Sequence, residues 1–227
     1  MPVLRSREAF MAGYVYIIES PSPRDLSDGR TEGNALCETF KLAGIKHSYS
    51  LAVNLDEFLR ALALGEGLPF LDAYRKHGEE APVLHLSMHG NTDGVQLTDG
   101  RILSWDDLRD ILSPINSALP LGLMVTFSTC GGAASIRMSM SEDVNHKPFY
   151  VTVGSTREVP WDEALIAYAV FYHNWFRELP AMECVKLMKA ASGHSGFAAY
   201  SGAEQKQDFI EFAQKQRLIE ALSRPGS

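Results

Sequence analysis

Two segments of the chain end in residue types suited to acyl-transfer chemistry. Val83-Leu84-His85-Leu86-Ser87-Met88 runs into His89-Gly90, and Leu123-Met124-Val125-Thr126-Phe127-Ser128-Thr129 runs into Cys130-Gly131-Gly132. Both are apolar runs of β-forming character that stop at an active side chain followed by glycine. If the two strands are neighbours, an imidazole and a thiol stand side by side at one sheet edge. A free thiol has a pKa near 8.5, so only about 3% of it is thiolate at pH 7. An adjacent imidazole can take that proton and later give one to a leaving amine, help worth about 10²–10⁴-fold. A helix starting just after Cys130 would bring backbone N–H groups and a positive dipole end to the sulfur. The glycines let a substrate carbonyl approach the backbone. The N–H groups of Gly90 and Cys130 are then a candidate oxyanion hole, worth about 2.7–4 kcal/mol per donor.

Alternating strands and helices must position this pair. The run 14–18 (Tyr-Val-Tyr-Ile-Ile) reads as a buried strand, and 20–33, with two prolines and two glycines, reads as a loop. Apolar spacing predicts a helix over 34–44, closed by Gly44, and a second strand over 47–53. Asn54 with Glu57 three residues later opens a further helix. Strands follow at 82–88, 121–127 and 149–154, and Asp99-Gly100 sits in a hairpin between 95–97 and 101–103. Ser104 with Asp107 caps a helix expected to end before Pro114, and a helix is expected over 133–140. The segment 160–179 is apolar almost all round and predicts a buried helix; two more helices, near 182–191 and 203–222, precede a frayed tail over 223–227. Strands separated by helices imply parallel pairing, an α/β sandwich of three layers. In such sheets reactive groups collect beyond the C-terminal ends of the strands.

Composition removes several alternatives. The 227 residues make one domain the expectation, and 45% hydrophobic with 22% charged residues is ordinary for a globular chain. The net charge of −7 and the lack of a Lys/Arg block argue against nucleic acid and anionic membranes as partners. No run is long enough to span a bilayer, and the N-terminal stretch with Arg5 and Arg7 lacks a signal-peptide core. Cys37, Cys130 and Cys184 are odd in number, widely spaced and form no CxxC pair, so a reducing cytoplasm is the expected setting. No nucleotide-binding glycine motif and no metal-ligand spacing occur, so neither cofactor nor metal is expected.

The pair LHLSMHG and LMVTFSTCGG, with His89 and Cys130 separated by 41 positions, resembles the signature of caspase-like (clan CD) cysteine peptidases. The segments DGVQLTDGRILSWDDL and VTVGSTREVPWDEALIAYAVFY look most like the bacterial CHAT-type branch. The resemblance covers about residues 14–179, with the C-terminal helices, about 180–222, completing a single peptidase domain over 1–227. It implies a caspase-hemoglobinase-like sandwich with a mostly parallel central sheet, His89 as general base and acid, and Cys130 as nucleophile. Thr129 and Gly131 stand where caspases usually carry Ala and Arg or Gln, so the Asp preference of caspases is not carried over. In caspases the loop after the first strand supplies a specificity arginine. Here that loop holds Arg24 and Arg30 but also Glu19, Asp25 and Asp28, so either a basic or an acidic P1 residue remains open. Ser155, Thr156 and Arg157, leading to Trp161, resemble the edge on which family substrates lie extended. Trp161 is either a wall of that pocket or a buried first-turn residue of the next helix.

The expected activity is thus a cysteine endopeptidase acting on a protein substrate through a thioester, with an activating partner as one route of control. The resemblance also suggests a setting in bacterial defence. The alternative is a caspase-fold interaction module that binds a partner without turnover. Selective reactivity of Cys130 over Cys37 and Cys184 separates the two. His85 and the other histidines (His47, His77, His146, His173 and His194) are expected to serve packing or the surface, and Gly193-His194-Ser195-Gly196 is set aside as a nucleophile elbow because it follows a helix.

Overall fold

The computed structural model describes residues 12–223. The expectations for Arg5 and Arg7, and for the tail beyond Ser223, lie outside the described residues. The chain folds as β1 (Ala12–Ser20), α1 (Pro23–Ser27), α2 (Glu32–Ala43), β2 (His47–Leu51), α3 (Leu55–Leu62), α4 (Pro69–Lys76) and β3 (Ala81–Gly90). It continues with β4 (Gly94–Gln96), β5 (Ile102–Ser104), α5 (Trp105–Ala118), β6 (Met124–Ser128) and a 3₁₀ helix (Gly132–Ser139). The last part is β7 (Val151–Ser155), α6 (Trp161–Trp175), α7 (Ala181–Ser192), β8 (Phe197–Ser201) and α8 (Gly202–Ser223).

The central sheet has the order β2-β1-β3-β6-β7-β8, with the β4–β5 hairpin extending from β3. All central pairs are parallel except β7 with β8. Alternation along each strand sends side chains to two faces. Tyr14, Tyr16 and Ile18 pack with Phe58, Phe70, Leu108 and Leu112 under α3, α4 and α5, whereas Val15, Ile17 and Val83 pack with Leu36, Phe40, Tyr168 and Phe171 under α2 and α6. Each large apolar side chain fully withdrawn from water contributes about 1.5–3 kcal/mol, so both helical layers are held firmly to the sheet. The result is a three-layer α/β sandwich with a mostly parallel central sheet, as the strand–helix alternation implied.

Several local expectations are corrected. The loop over 20–33 contains α1, capped by Ser22, whose hydroxyl accepts the Asp25 N–H at 3.1 Å. The helix expected to stop before Pro114 runs on to Ala118. Burial of Leu108, Leu112 and Ile115 against the sheet outweighs the hydrogen bond that proline cannot donate. The helix expected over 133–140 is a 3₁₀ helix beginning at Gly132. The long helix ends at Trp175, where the chain turns through Glu178 at φ 66°, and Ile166 on it is 47% exposed. The elements α4 and β8 were not among those expected.

Candidate active site

The β3–β6 ladder decides whether the two strand ends meet. Val83 pairs with Met124, Leu84 with Val125, and so on to Ser87 with Ser128, a constant offset of 41 residues. His89 and Cys130 carry the same offset and lie two residues beyond the last of those rungs. They also share strand parity with His85 and Thr126, whose side chains face Tyr172 of α6. The ladder and β6 both end at Ser128, so the structure brings the two strand ends side by side, about 4.8 Å apart as neighbouring strands are, with His89 and Cys130 just beyond them.

The turn after each strand keeps the ends together. A Cβ on Gly90 would lie 2.3 Å from the Thr129 hydroxyl oxygen, so glycine is needed for this approach. Gly131 adopts φ +68°, and a Cβ there would meet the backbone of Asn91 at 3.0 Å. The Asn91 N–H donates to Gly94 O at 3.0 Å, making these residues a hydrogen-bonded pair of the hairpin. Gly90 and Val95, one step along, are then a pair without mutual hydrogen bonds, and the hairpin does not consume the Gly90 N–H. That is the donor an oxyanion hole requires.

His89 has a carboxylate partner. Its Nε2 lies 2.6 Å from Asp25 Oδ2, with the His89 side chain 39% and the Asp25 side chain 10% exposed. Sequence reasoning placed Asp25 with the pocket residues; the structure brings it to the histidine. The local signal extends only to the helix start, Ser22-Pro23-Arg24-Asp25 with proline at the first turn, and carries nothing about the histidine. Burial raises the Asp25 carboxyl. Hydrogen bonds with Ser22 and His89, together with the His89 charge, outweigh that and hold it below the usual range. Its contribution to stability is therefore present above the ordinary carboxylate value and lost as pH falls through the lowered one. Trp161, half-buried, sets its ring 5.3 Å from that of His89 in an edge-to-face arrangement.

The segment after β7 is already engaged. Thr156 N–H donates to Gly196 O at 3.0 Å, and Gly131 N–H donates to Arg157 O at 3.4 Å. The His194 ring bonds Glu158 O, and Arg157 Nη1 reaches the Ser195 hydroxyl at 3.3 Å. Ser155 is fully buried and its hydroxyl accepts the Arg157 N–H. The Gly193–Gly196 turn thus holds residues 156–158, and the Arg157 carbonyl ties that segment to Gly131 of the cysteine turn. Asp28 lies within 4.0 Å of Arg24 and Arg30 in exposed pairs.

The three thiols differ in setting. Cys37 and Cys184 are buried, whereas Cys130 is partly exposed. Burial, reinforced by Glu19, pushes the Cys37 thiol up to about 11, and burial pushes Cys184 to about 12. At pH 8 each is thiolate to about 0.1% or less. Iodoacetamide at pH 8 is expected to alkylate Cys130 and spare the other two in the folded protein, as read by peptide mass mapping. Equal labelling of all three would contradict this assignment. Among the described residues no three His, Cys, Asp or Glu side chains converge as metal ligands, and no helix is long and apolar enough to cross a membrane.

The chain aligns over 86% of its length with 68% of a secreted C11 cysteine protease from Bacteroides thetaiotaomicron solved in complex with an irreversible peptide inhibitor, at 12% identity and a TM-score of 0.55. It aligns over 88% with 92% of caspase-1 from Spodoptera frugiperda, at 12% identity and a TM-score of 0.54. The fold is caspase-like. No protein-family model and no curated protein sequence matches the chain. At such low identity the likeness speaks for the fold, and the chemistry rests on the side chains just described.

Proposed function

We propose that the protein is a cysteine endopeptidase acting on a protein substrate. The observation that supports the reading is the in-register pairing of β3 with β6 at an offset of 41 residues, the same offset that separates His89 from Cys130, together with Asp25 2.6 Å from the imidazole. His89 takes the Cys130 proton and the thiolate attacks the scissile carbonyl carbon. The oxyanion is held by the Gly90 and Cys130 N–H groups, and His89 protonates the leaving amine. Water, deprotonated by His89, then hydrolyses the thioester and returns the thiol. Asp25 orients the ring and stabilises the imidazolium formed in both steps.

The finer parts of the reading are a CHAT-type affinity, a cytoplasmic setting, control by an activating partner and a role in bacterial defence. The β4–β5 hairpin after His89-Gly90 supports the first, and three free thiols support the second. Nucleic acid and membranes are not among the proposed partners. A single peptidase domain is part of the same reading.

The test is covalent capture. A mixture of peptidyl acyloxymethyl ketones with varied P1 residues should form a thioether at Cys130, located by peptide mass spectrometry, and His89→Ala should abolish it. An absence of adduct in the wild type, or a full yield in the His89 variant, would favour the non-catalytic module. Asp25→Asn should lower kcat/KM about 10²–10⁴-fold with KM little changed. A KM effect alone would instead return Asp25 to the substrate pocket.

A further inference from the structure

A pocket lies at the opposite pole of the sheet from the histidine and cysteine, where β6 and β7 begin and β8 ends. It is formed between the loop after α5, residues 139–150 and the first turns of α8, and has a volume of about 580 Å³. About 20 Å of extended chain separates Leu123, just before β6, from Cys130. Small-molecule sites typically span about 300–1,000 Å³ and combine apolar walls with a few placed polar groups. Here the apolar walls are Pro120, Leu121, Pro148, Phe149 and Ile210. They are fixed in advance. The Asn116 side chain accepts the Leu123 N–H at 2.6 Å and donates to Lys147 O at 2.9 Å, and the Gly202 N–H donates to Tyr150 O at 2.9 Å.

The titratable groups on those walls share one sign. Lys147, Lys206 and His146 line the pocket and no Asp or Glu does, in a chain of net charge −7. Lys206 Nζ donates to the carbonyls of Ser141, Asp143 and His146 at 3.0, 2.5 and 3.0 Å, which spends its three donors and fixes the charge in the wall. Burial lowers its amine, and Lys147 and Arg109 add to that against the Asp143 charge. His146 is turned to Ser141, Asp143 and Asp110. Among the described residues the Lys147 amine has no ion-pair partner. Helix α8 starts at Gly202 on the same wall, with the positive end of its dipole. Ser139 also lines the pocket; it is 1% exposed, and its hydroxyl has no hydrogen-bond partner among the described residues. Buried hydroxyls are almost always paired, so this one marks a place for a ligand.

We propose that this pocket binds a small molecule with an apolar body and a single anionic head, a medium-chain or aromatic carboxylate. The body withdraws from water against the two prolines, Leu121, Phe149 and Ile210. The head takes the Lys147 ammonium and the Ser139 hydroxyl as donors and sits in the field of Lys206 and the start of α8. A cationic head would meet the same charges as repulsion, and a neutral head would leave them uncompensated. Such a ligand neither needs nor blocks the histidine–cysteine pair.

The test is isothermal titration calorimetry with octanoate, 2-naphthoate and their neutral amides, octanamide and 2-naphthamide. At least one of the two acids should saturate a single site with a Kd below about 1 mM, and the tighter of the two tells a linear from a flat body. Its amide should bind at least about tenfold more weakly, as loss of a charge-assisted hydrogen bond requires. Lys147→Gln should weaken the acid about tenfold and leave the amide unchanged. Ile210→Trp, which fills the pocket, should remove both. Ala203→Trp, at an exposed position of the first α8 turn, takes its place should that variant fold poorly. Cys130→Ala should bind as the wild type does. No saturable binding by either acid, equal affinity for acid and amide, or an affinity unmoved by Lys147→Gln or by the filled pocket overturns the assignment. Loss of binding in Cys130→Ala would put the ligand at the catalytic pair and overturn it as well.

Discussion

Cys130→Ala is expected to reduce peptide hydrolysis to background, a loss on the order of 10⁴–10⁶-fold in kcat. In the proposed mechanism the sulfur is the atom that bonds the substrate carbon, and neither a methyl group nor a neighbouring hydroxyl can replace it. His89→Ala should fall nearly as far, because a thiol without its base is mostly protonated and the leaving amine lacks its acid. Residues that act as one unit are not additive, so the double variant should be no slower than the slower single one. Cys130 is partly exposed and His89 is 39% exposed, so both variants should unfold within a few degrees of the wild type. Initial rates on a quenched-fluorescence peptide, measured beside near-ultraviolet circular dichroism and thermal melts, separate lost chemistry from lost fold. Substantial activity in Cys130→Ala would exclude the thioester mechanism.

The largest stability effect is expected one layer down, at His85. Its Nδ1 lies 2.8 Å from the Thr126 hydroxyl and 3.0 Å from that of Tyr172, and its Nε2 lies 3.2 Å from Glu32. The ring is wholly buried and packs edge-to-face on Tyr168 at 4.9 Å. Alanine at this position strips Glu32 of its imidazole, reduces the Thr126 and Tyr172 hydroxyls to the 2.7 Å bond they share with each other, and opens a cavity. Removing one member of a buried pair costs about 3–5 kcal/mol. At about 2–4 °C per kcal/mol for a chain of this size, the midpoint should drop by about 6–20 °C. A drop under about 3 °C would mean that water or a shifted side chain replaces the ring at little cost. Restoring part of the loss with Glu32→Gln in the His85→Ala background would tie the penalty to the stranded carboxylate.

That cluster also marks the boundary of what the chain reveals locally. The strands β3 and β6 are plain from their continuous apolar runs, and the histidine and cysteine at their ends are plain because glycines follow them. The capping pattern Ser104–Asp107 reads as it folds, since both partners lie within one helical turn. Proline 114 misleads for the converse reason. Its local cost is real, but Leu108, Leu112 and Ile115 are held by strands far away in sequence. The helix α1 is not visible in the pattern because a five-residue element has almost no periodicity to display. Strand β8 has no local signature, since Phe-Ala-Ala-Tyr-Ser lacks a run of β-branched residues and gains its place only by pairing antiparallel with β7.

The sequence by itself determined the alternation of strands and helices, the two strand ends that carry chemistry, and the equal spacing that lets His89 and Cys130 share a level once the strands pair in register. Each of these follows from interactions among near neighbours: strand alternation, turn geometry and helix capping. Only the tertiary structure decided that Asp25, 64 residues before His89, is its partner. Only it set Glu32 against His85, or left the Ser87 and Ser128 hydroxyls buried without a hydrogen-bond partner. Those relations depend on which helix covers which face of the sheet and at what height. That choice is made by the burial of whole layers, and no short window of residues contains it.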